Sequence, residues 1–348
     1  MKRFSTTILI AVLVFVLAAC GNSNNANNTS GSTGNASNAT ATPEATATPE
    51  AAPTTVQVTD SHGTVTVPVN PKNVVSLDNR TFETLEAWGI ELAAAPKGVM
   101  PADSAYVANE NVQDIGNHRE PNLEVIAAVD PELVIVGQRF AGFYEDIKKL
   151  VPNAAVIDIN IAVDSEDGTA GENLVNGFKD VTTTLGQIFD KNTEAEALNA
   201  EFDAAIEAAK AAYNGTDTVM SVIVSGGNIG YSAPHNGRVW GPLYDIFGWV
   251  SSLEVDNTST DHQGDEISVE AIAQSNPDWL FVLDRDAATS SAAESTPAAD
   301  VIANAPALQN TTAITNEQIL YAPNDTYTNE SIQTFIEIFE DLANTLKK

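Results

Sequence analysis

Two stretches of the sequence decide the fold, NLEVIAAVDPELVIVGQR at residues 122–139 and SVEAIAQSNPDWLFVLDR at residues 268–285. They align without a gap, and six of the eighteen positions are identical. Each copy combines a short helical pattern, a turn that contains proline, and an apolar run typical of a buried strand. A unit that occurs once in each half of the chain predicts two similar lobes, because a solenoid needs at least about three repeats.

The rest of the chain alternates between strand and helix patterns. An apolar–polar alternation over 56–59 and 64–67 predicts a β-hairpin. Further apolar runs that indicate buried strands lie at 74–77, 155–159, 219–224 and 319–321. Strands separated by helices are typical of parallel sheets. We therefore predict an α/β fold with two Rossmann-like lobes, parallel sheets and a ligand cleft between the lobes.

The segment between the two halves predicts how the lobes are joined. Residues 173–189 have helical periodicity, and Thr193 is a candidate cap for a second helix that runs to about Tyr213. The first helix lies where a connector between two lobes belongs. The predicted divisions are an N-terminal lobe at 55–170, a single long connecting helix at 171–192 and a C-terminal lobe at 193–348.

The N-terminus has the pattern of an export signal. Lys2 and Arg3 precede an apolar run over 8–19, which is too short for a bilayer span of ~20 residues. The run ends in small residues directly before Cys20, as a signal peptidase requires. This resembles a bacterial lipoprotein signal, with a signal peptide at 1–19 and a lipidated Cys20. An ordinary signal peptide with an incidental cysteine is the alternative.

The segment after Cys20 is rich in Asn, Ser, Thr, Ala and Pro and has almost no residues that could form a core. Such a composition cannot bury enough apolar surface to offset the entropy of ordering. We assign residues 20–54 to the lipidated cysteine and a disordered tether.

Composition and motifs exclude several classes of protein. The formal net charge is −31 at pH 7, and such a chain repels nucleic acid and anionic membrane surfaces. The one cysteine leaves no partner for an internal disulfide. The four histidines are scattered without metal-ligand spacing, and no P-loop, nucleophile elbow or dinucleotide fingerprint is present. We therefore expect neither an enzyme nor a resident metal site.

Arginine is scarce, and its placement predicts a binding site. Arg139 and Arg285 occupy the same position of the repeated unit, just past the carboxyl end of a predicted strand. Ligands bind at that edge of an open α/β sheet. Arg80, Arg119 and Arg238 lie in loops. Because guanidinium binds anionic oxygens bidentately and stacks on aromatic rings, these residues predict a cleft for an anionic ligand. Ion pairing with surface carboxylates is the alternative for each of them.

The repeated unit and the cysteine of the leader together resemble the iron-siderophore solute-binding lipoproteins of ABC importers. The resemblance covers residues 55–348 and implies two α/β lobes joined by one long helix. A narrower similarity is to the petrobactin-type catecholate binders, which carry three arginines in the cleft. The matching positions are Arg139 in GQR, Arg238 in GRVW and Arg285 in VLDR. His262 and Tyr327 lie near the positions where some members place iron ligands, although the histidine is one residue out of register.

The resemblance implies an extracytoplasmic protein that captures a ferric siderophore, catecholate in type, and delivers it to an ABC permease. The implied ligand-binding residues are the three matched arginines with Arg80, Arg119, His262 and Tyr327. No covalent group other than the lipid is implied. The expected form is a monomer anchored on the outer face of the cell membrane, in a Gram-positive bacterium.

In this family, acidic residues on the crest of each lobe dock on the permease, and the candidates here are Glu83, Glu86 and Asp245. A single-helix connector also implies only small closure on binding. Haem, cobalamin or ferric citrate are alternative ligands for the same fold. A secreted enzyme on a two-lobed scaffold and a surface-structure protein are alternatives of another class.

Overall fold

The computed structural model describes residues 53–289 and 295–347. The predictions for the signal peptide, for Cys20 and for nearly all of the tether fall on residues 1–52, outside the described residues. Within the described part of the chain, no helix is long and apolar enough to cross a membrane. The predicted α/β architecture with two parallel sheets is confirmed.

The elements alternate along the chain. The strands are β1 Thr55–Asp60, β2 Gly63–Pro68, β3 Val74–Ser76, β4 Leu92–Ala95, β5 Gln113–Asp114, β6 Leu133–Val136, β7 Ala155–Asp158, β8 Thr218–Ser225, β9 Asn228–Tyr231, β10 Val250–Ser251, β11 Trp279–Asp284 and β12 Ile319–Tyr321. The α-helices are α1 Phe82–Ala87, α2 Ala105–Ala108, α3 Leu123–Ala128, α4 Tyr144–Leu150, α5 Ala170–Ile188, α6 Asn192–Ala212, α7 Gly241–Phe247, α8 Val269–Ser275, α9 Ala298–Ala303, α10 Thr312–Thr315 and α11 Ile332–Thr345.

The N-terminal lobe is built on a parallel sheet of order β5-β4-β3-β6-β7. All four residues of β6 are buried, as a strand covered on both faces requires. Strand β4, with the sequence LAAA, is absent from the sequence predictions because alanine favours helices. Pairing with β3 on one side and β5 on the other overrides that propensity. The hairpin of β1 and β2 is confirmed.

The C-terminal lobe repeats this plan with a parallel sheet of order β10-β8-β11-β12, and β9 adds an antiparallel strand beside β8. Strand β11 pairs with β8 over six residues, and all six residues of β11 are buried. Strands β6 and β11 belong to the two copies of the repeated unit. Both strands lie inside a sheet, so the residues that follow them emerge at equivalent edges of the two sheets.

Helix α5 lies between the two sheets in the chain and packs into both cores. Its start is held by a capping box in which Thr169 and Glu172 exchange side-chain and backbone hydrogen bonds. Phe178 packs in the cluster that covers the C-terminal sheet, and Leu185 packs in the cluster that covers the N-terminal sheet. One helix therefore contributes to both hydrophobic cores.

The turn after α5 differs from the sequence prediction. Helix α6 begins at Asn192 with Lys191 at its cap, so the prediction that Thr193 caps it is wrong. The chain turns tightly at this point, since a Cβ atom on Gly186 would lie 2.6 Å from the Cβ of Ala195. The glycine lets α6 start against α5 with almost no connecting loop.

Candidate functional site: an arginine-lined cavity between the lobes

A cavity of about 960 Å³ is lined by residues of both lobes. The N-terminal lobe contributes Lys97, His118, Arg119, Gln138 and Arg139, and the C-terminal lobe contributes Arg238, His262, Arg285, Asp325 and Tyr327. The lining includes five lysine or arginine side chains and two carboxylates, those of Asp103 and Asp325. The cavity is therefore positive in a chain whose net charge is −31. We call it the arginine cavity.

Three arginines surround the ring of Tyr327. The Cζ atoms of Arg238, Arg285 and Arg139 lie 4.5, 4.9 and 5.5 Å from the ring centroid, all within cation–π range. Arg139 Nη2 also donates a hydrogen bond to the carbonyl of Tyr327 at 3.1 Å. One tyrosine thus gathers guanidinium groups from both lobes at a common point.

The two arginines of the repeated unit reach the cavity from the ends of their strands. Arg139 lies in the 3₁₀ helix Gln138–Phe143 that follows β6, and Arg285 directly follows β11. Arg285 Nη1 donates to Ser225 Oγ at 3.2 Å and lies 3.5 Å from Asp286 Oδ1. The structure therefore brings together the two residues that the internal repeat paired.

Arg238 is held by a tight loop after β9. A Cβ atom on Gly237 would lie 2.5 Å from the backbone of Ala233, so only glycine fits there. Val239 has a positive φ of 64°, which is unusual for a β-branched residue. Trp240 is fully buried behind the loop and anchors it. The loop thus stores backbone strain to place Arg238 beside the other two arginines.

Arg139 forms no ion pair among the described residues, although the charge of Glu330 acts on it from a greater distance. Among the ion pairs of the described residues, Arg80, Arg238 and Arg285 each have a carboxylate partner, and Arg139 has none. Burial, and after it the neighbouring Arg238, lower the pKa of Arg139 from its ordinary value. A buried guanidinium that faces another guanidinium favours an anion between them.

Glu330 binds two arginines beside the cavity. Its carboxylate pairs with Arg238 and lies 3.5 Å from Nη2 of Arg80. Burial raises the pKa of Glu330, but Arg238, Arg80 and Arg139 together outweigh burial and hold that pKa below its ordinary value. Arg80 lines a second cavity and is absent from the lining of the arginine cavity. Its side chain is 9% exposed, so it acts as a buried partner of Glu330.

The other predicted ligand-binding residues lie on the arginine cavity. Arg119 and His262 line it, and so does His118, whose pKa burial lowers first and Arg139 and Arg119 lower further. The His262 side chain is 45% exposed, with Nδ1 3.7 Å from Asp261 Oδ2. In residues 53–289 and 295–347, no group of three or more His, Cys, Asp and Glu side chains could hold a metal ion.

The segment that carries Tyr327 also holds the lobes together. Asn79 Nδ2 donates to the carbonyl of Thr328 at 2.5 Å, and Thr84 Oγ1 donates to Gln333 Oε1 at 3.0 Å. Ser331 Oγ donates to Glu83 Oε2 at 2.5 Å. The lobes therefore meet at hydrogen bonds that start directly beside the cavity.

The three candidate docking carboxylates all make contacts within the chain. Glu83 Oε2 accepts from Ser331 and from Asn329, and Glu86 Oε2 accepts from Ser104 and from the backbone of Ala105. Asp245 is engaged through both oxygens. Its Oδ1 lies 2.5 Å from His235 Nδ1, and its Oδ2 accepts from the N–H of Gly171 at 3.1 Å. The Asp245 side chain is 13% exposed.

Sequence reasoning missed Glu330, Lys97, Gln138 and His118. Glu330 is one of 47 acidic residues, and its partners Arg238 and Arg80 lie 92 and 250 positions away. No local pattern marks such a residue, since its role depends on how distant segments meet. Gln138 alone carried a signal, because it directly precedes an arginine of the repeated unit.

The comparison with known families agrees with this geometry. The family described as "Periplasmic binding protein" matches residues 74–326, which include both five-stranded sheets and all the lining residues of the arginine cavity except Tyr327 and Thr328. This chain belongs to the periplasmic binding protein family. The family is one of substrate-binding proteins.

Two curated proteins that are similar to this chain are named for the siderophores that they bind. The chain is 26% identical over 353 residues to the petrobactin-binding protein YclQ of Bacillus subtilis, with 100% of both chains covered. It is 26% identical over 294 residues to the ferric-anguibactin-binding protein FatB of Vibrio anguillarum, covering 83% of this chain and 87% of FatB. The resemblance to siderophore-binding proteins predicted from the sequence is confirmed.

Solved structures confirm the fold. The crystal structure of YclQ superposes with a TM-score of 0.71 at 24% identity, covering 84% of this chain and 99% of that chain. The catecholate-siderophore-binding protein VctP of Vibrio cholerae superposes with a TM-score of 0.68 at 23% identity, covering 84% of this chain and 99% of VctP. The two-lobed architecture is therefore that of siderophore-binding members of the family.

Proposed function

We propose that the protein captures a ferric siderophore of the catecholate type in the arginine cavity and delivers it to an ABC permease for iron uptake. The observation that carries this proposal is the convergence of Arg139, Arg238 and Arg285 on the ring of Tyr327. Relatives such as YclQ and FatB, named for ferric siderophores or for petrobactin, support the ligand class.

The charge of the cavity suits such a ligand. A ferric centre with three catecholate groups carries about three negative charges and presents aromatic faces. Each guanidinium at ~5 Å attracts a unit negative charge by roughly 3 kcal/mol at an effective dielectric constant of about 20, before the cost of desolvation. Arg139 contributes most in this scheme because, among the described residues, no carboxylate forms an ion pair with it. Arg119, on the wall of the same cavity, adds further positive charge.

The iron remains chelated by the siderophore in this proposal. His262 and Tyr327 both line the cavity and are the candidates to approach a ferric centre whose coordination the siderophore leaves open. The ring of Tyr327 already lies within cation–π distance of three guanidinium groups. We therefore assign it to hold the arginines in place, with iron ligation as a second role.

Delivery requires a docking surface and an anchor. We propose that Glu83 and Glu86 on α1 contact the permease, since each uses only Oε2 in its internal hydrogen bonds. Asp245 is the candidate on the C-terminal lobe, where its contact with His235 has to open for docking. We propose that diacylation of Cys20 anchors a monomer to the outer face of the membrane.

The test is a binding panel measured by quenching of tryptophan fluorescence. We expect sub-micromolar affinity for a ferric tris-catecholate and weaker binding of ferric hydroxamates, ferric citrate, haem and cobalamin. The triple variant Arg139→Ala, Arg238→Ala, Arg285→Ala should lose the ferric catecholate. Lys149→Ala is the control, because Lys149 is 72% exposed and pairs only with Asp146. Equal binding by the triple variant and the wild type would overturn the proposal.

A further inference from the structure

A second cavity of about 550 Å³ adjoins the arginine cavity. The two cavities share Gln138 and Arg238 in their walls. The second cavity also takes its lining from both lobes, with Asn160 and Ile161 after β7 on one side and Thr260 on the other. We call it the side cavity. A ligand that fills the arginine cavity can extend into the side cavity past the shared wall.

The two cavities differ in charge. The side cavity is lined by two arginines, Arg80 and Arg238, and by two carboxylates, Asp164 and Glu330. Glu330 pairs with both arginines, and Glu330 and Asp164 together bring the formal charge of these four side chains to zero. The arginine cavity has five cationic side chains against two carboxylates. An anionic group therefore favours the arginine cavity, and the side cavity suits an uncharged group.

The walls of the side cavity are amphipathic. Ile161, Val163, Leu174, Val239 and Phe335 provide an apolar surface, and Asn160, Ser165, Asn236 and Thr260 provide neutral polar groups. A chain of methylene groups packs on the first set. Amide or hydroxyl groups along that chain find partners in the second set.

Arg80 adds an observation that points to a ligand. It lines the side cavity, its side chain is 9% exposed, and its Nη1 has no hydrogen-bond partner among the described residues. Buried guanidinium groups are costly when a donor is left unpaired. Arg80 thus keeps donor capacity for an acceptor oxygen that enters beside Glu330.

We propose that the side cavity is a subsite for an uncharged, amide-bearing aliphatic arm of the ligand, and that Arg80 and the neutral polar rim bind its amide oxygens. The proposal rests on the proposed function, because the ferric centre occupies the arginine cavity next to it. It assigns Arg80 to arm recognition and separates it from the three arginines that surround Tyr327.

The test compares two probes on the wild type and on filled variants. One probe is the ferric complex of catechol, which has no arm, and the other is the ferric complex of a bis-catecholamide with a long polymethylene linker. Asn160→Trp and Thr260→Trp fill the side cavity from opposite lobes at exposed positions. Ala102→Trp, also at an exposed position, fills the arginine cavity instead.

We expect both side-cavity variants to weaken binding of the bis-catecholamide complex, the armed probe, at least tenfold. Their affinity for the catechol complex, the armless probe, should change less than twofold. Ala102→Trp should weaken the binding of both probes. If the side-cavity variants bind the armed probe like the wild type, the subsite is refuted while the proposed function stands. If neither probe binds the wild type, the proposed function fails and the subsite fails with it. Circular dichroism and thermal unfolding show that each variant is folded.

Discussion

The two copies of the repeated unit place an arginine at the same edge of two similar sheets, and they hold it differently. In the C-terminal copy, Arg285 bonds Ser225 and lies near Asp286, both within its own lobe. In the N-terminal copy, Arg139 has no carboxylate ion-pair partner among the described residues and bonds the carbonyl of Tyr327 across the cleft. One copy supplies a fixed cation, and the other supplies a cation whose interactions depend on the opposite lobe.

The neighbouring strands explain part of this difference. Strand β8 ends at Ser225, which is small enough to accept a bond from Arg285. After β3 the chain reaches Asp78, which is buried against Gly137 and accepts only the backbone N–H of Arg80, with Oδ2 unpartnered among the described residues. A carboxylate thus lies next to the N-terminal copy without pairing to its arginine. In the N-terminal copy, Arg139 is therefore a buried cation without an ion pair among the described residues. Binding of an anionic ligand can relieve the electrostatic cost of burying that charge.

The largest effect on stability is expected from a substitution of Gly137, where the N-terminal copy has no room for a side chain. A Cβ atom there would lie 2.2 Å from Cγ of Asp78. We expect Gly137→Ala to destabilise the protein by about 3 kcal/mol or more, as overpacking of a buried site does. Urea unfolding measures this. Gly142→Ala is the control, since a Cβ atom on Gly142 meets nothing within 4 Å, and an equally small effect at Gly137 would contradict the packing.

The second effect is a pH dependence of the protein's stability that the titration of Asp78 causes. Burial raises the pKa of Asp78 from 3.8 to about 6, although Arg80 opposes the change. A raised pKa means that the native state holds its proton more tightly, so the contribution to stability is present below pH 4 and is lost as the pH rises through 6. Asp78→Asn should therefore gain stability over the wild type between pH 4 and 6, reaching roughly 3 kcal/mol above pH 7.

Thermal or urea unfolding of both proteins from pH 3.5 to pH 8 gives this difference directly. Asp146→Asn is a matched control, because the Asp146 side chain is 63% exposed and lies on the surface of the same lobe. A difference between Asp78→Asn and the wild type that does not change with pH would show that the Asp78 carboxyl titrates normally.

The third effect separates the two repeat arginines. Arg139→Ala should weaken ferric catecholate binding by about 3 kcal/mol, or about two decades, because Arg139 has no ion-pair partner among the described residues. Arg285→Ala should cost about half as much, since Asp286 already offsets part of its charge. Calorimetric titration of both variants tests the order. A larger loss at Arg285 would reverse the comparison between the copies.

The smallest effect is expected from lysine at the same two positions. Lysine keeps the charge and loses the planar fork, so we expect Arg139→Lys and Arg285→Lys to recover part of the alanine loss and to remain about 1 kcal/mol weaker than the wild type. The same titration in increasing salt should weaken binding only modestly, because the cavity is partly shielded from solvent. Full recovery of the binding affinity by lysine would show that binding depends only on the charge at these positions and not on the planar guanidinium group.

The internal repeat made much of this arrangement predictable from the sequence. An aligned unit places equivalent residues at equivalent strand ends, so the meeting of Arg139 and Arg285 required no knowledge of the tertiary structure. Arg238 was predicted from its place in a loop and from the family resemblance, since its strained loop carries no periodic signal. Strand β4 was missed because its alanines favour helix, and only burial between β3 and β5 makes them a strand.

Residues that act through long-range pairing were beyond sequence reasoning. Arg80 was expected on the ligand cleft beside the other arginines, and its pairing with Glu330 places it on the side cavity. Asp245 was predicted to dock on the permease from the C-terminal lobe, and nothing in the neighbouring sequence indicates that it bonds the first turn of α5. Such contacts join segments 74 and 250 positions apart.

The position of α5 has a consequence for how the protein unfolds. Its first half is packed in the core of the C-terminal lobe and its second half in the core of the N-terminal lobe. Melting of either lobe would expose one half of this 19-residue helix and leave the other half as a short helix, which is marginal by itself. Two lobes built as separate sheets are thereby coupled into a single cooperative unit, which loses both halves of its binding site together.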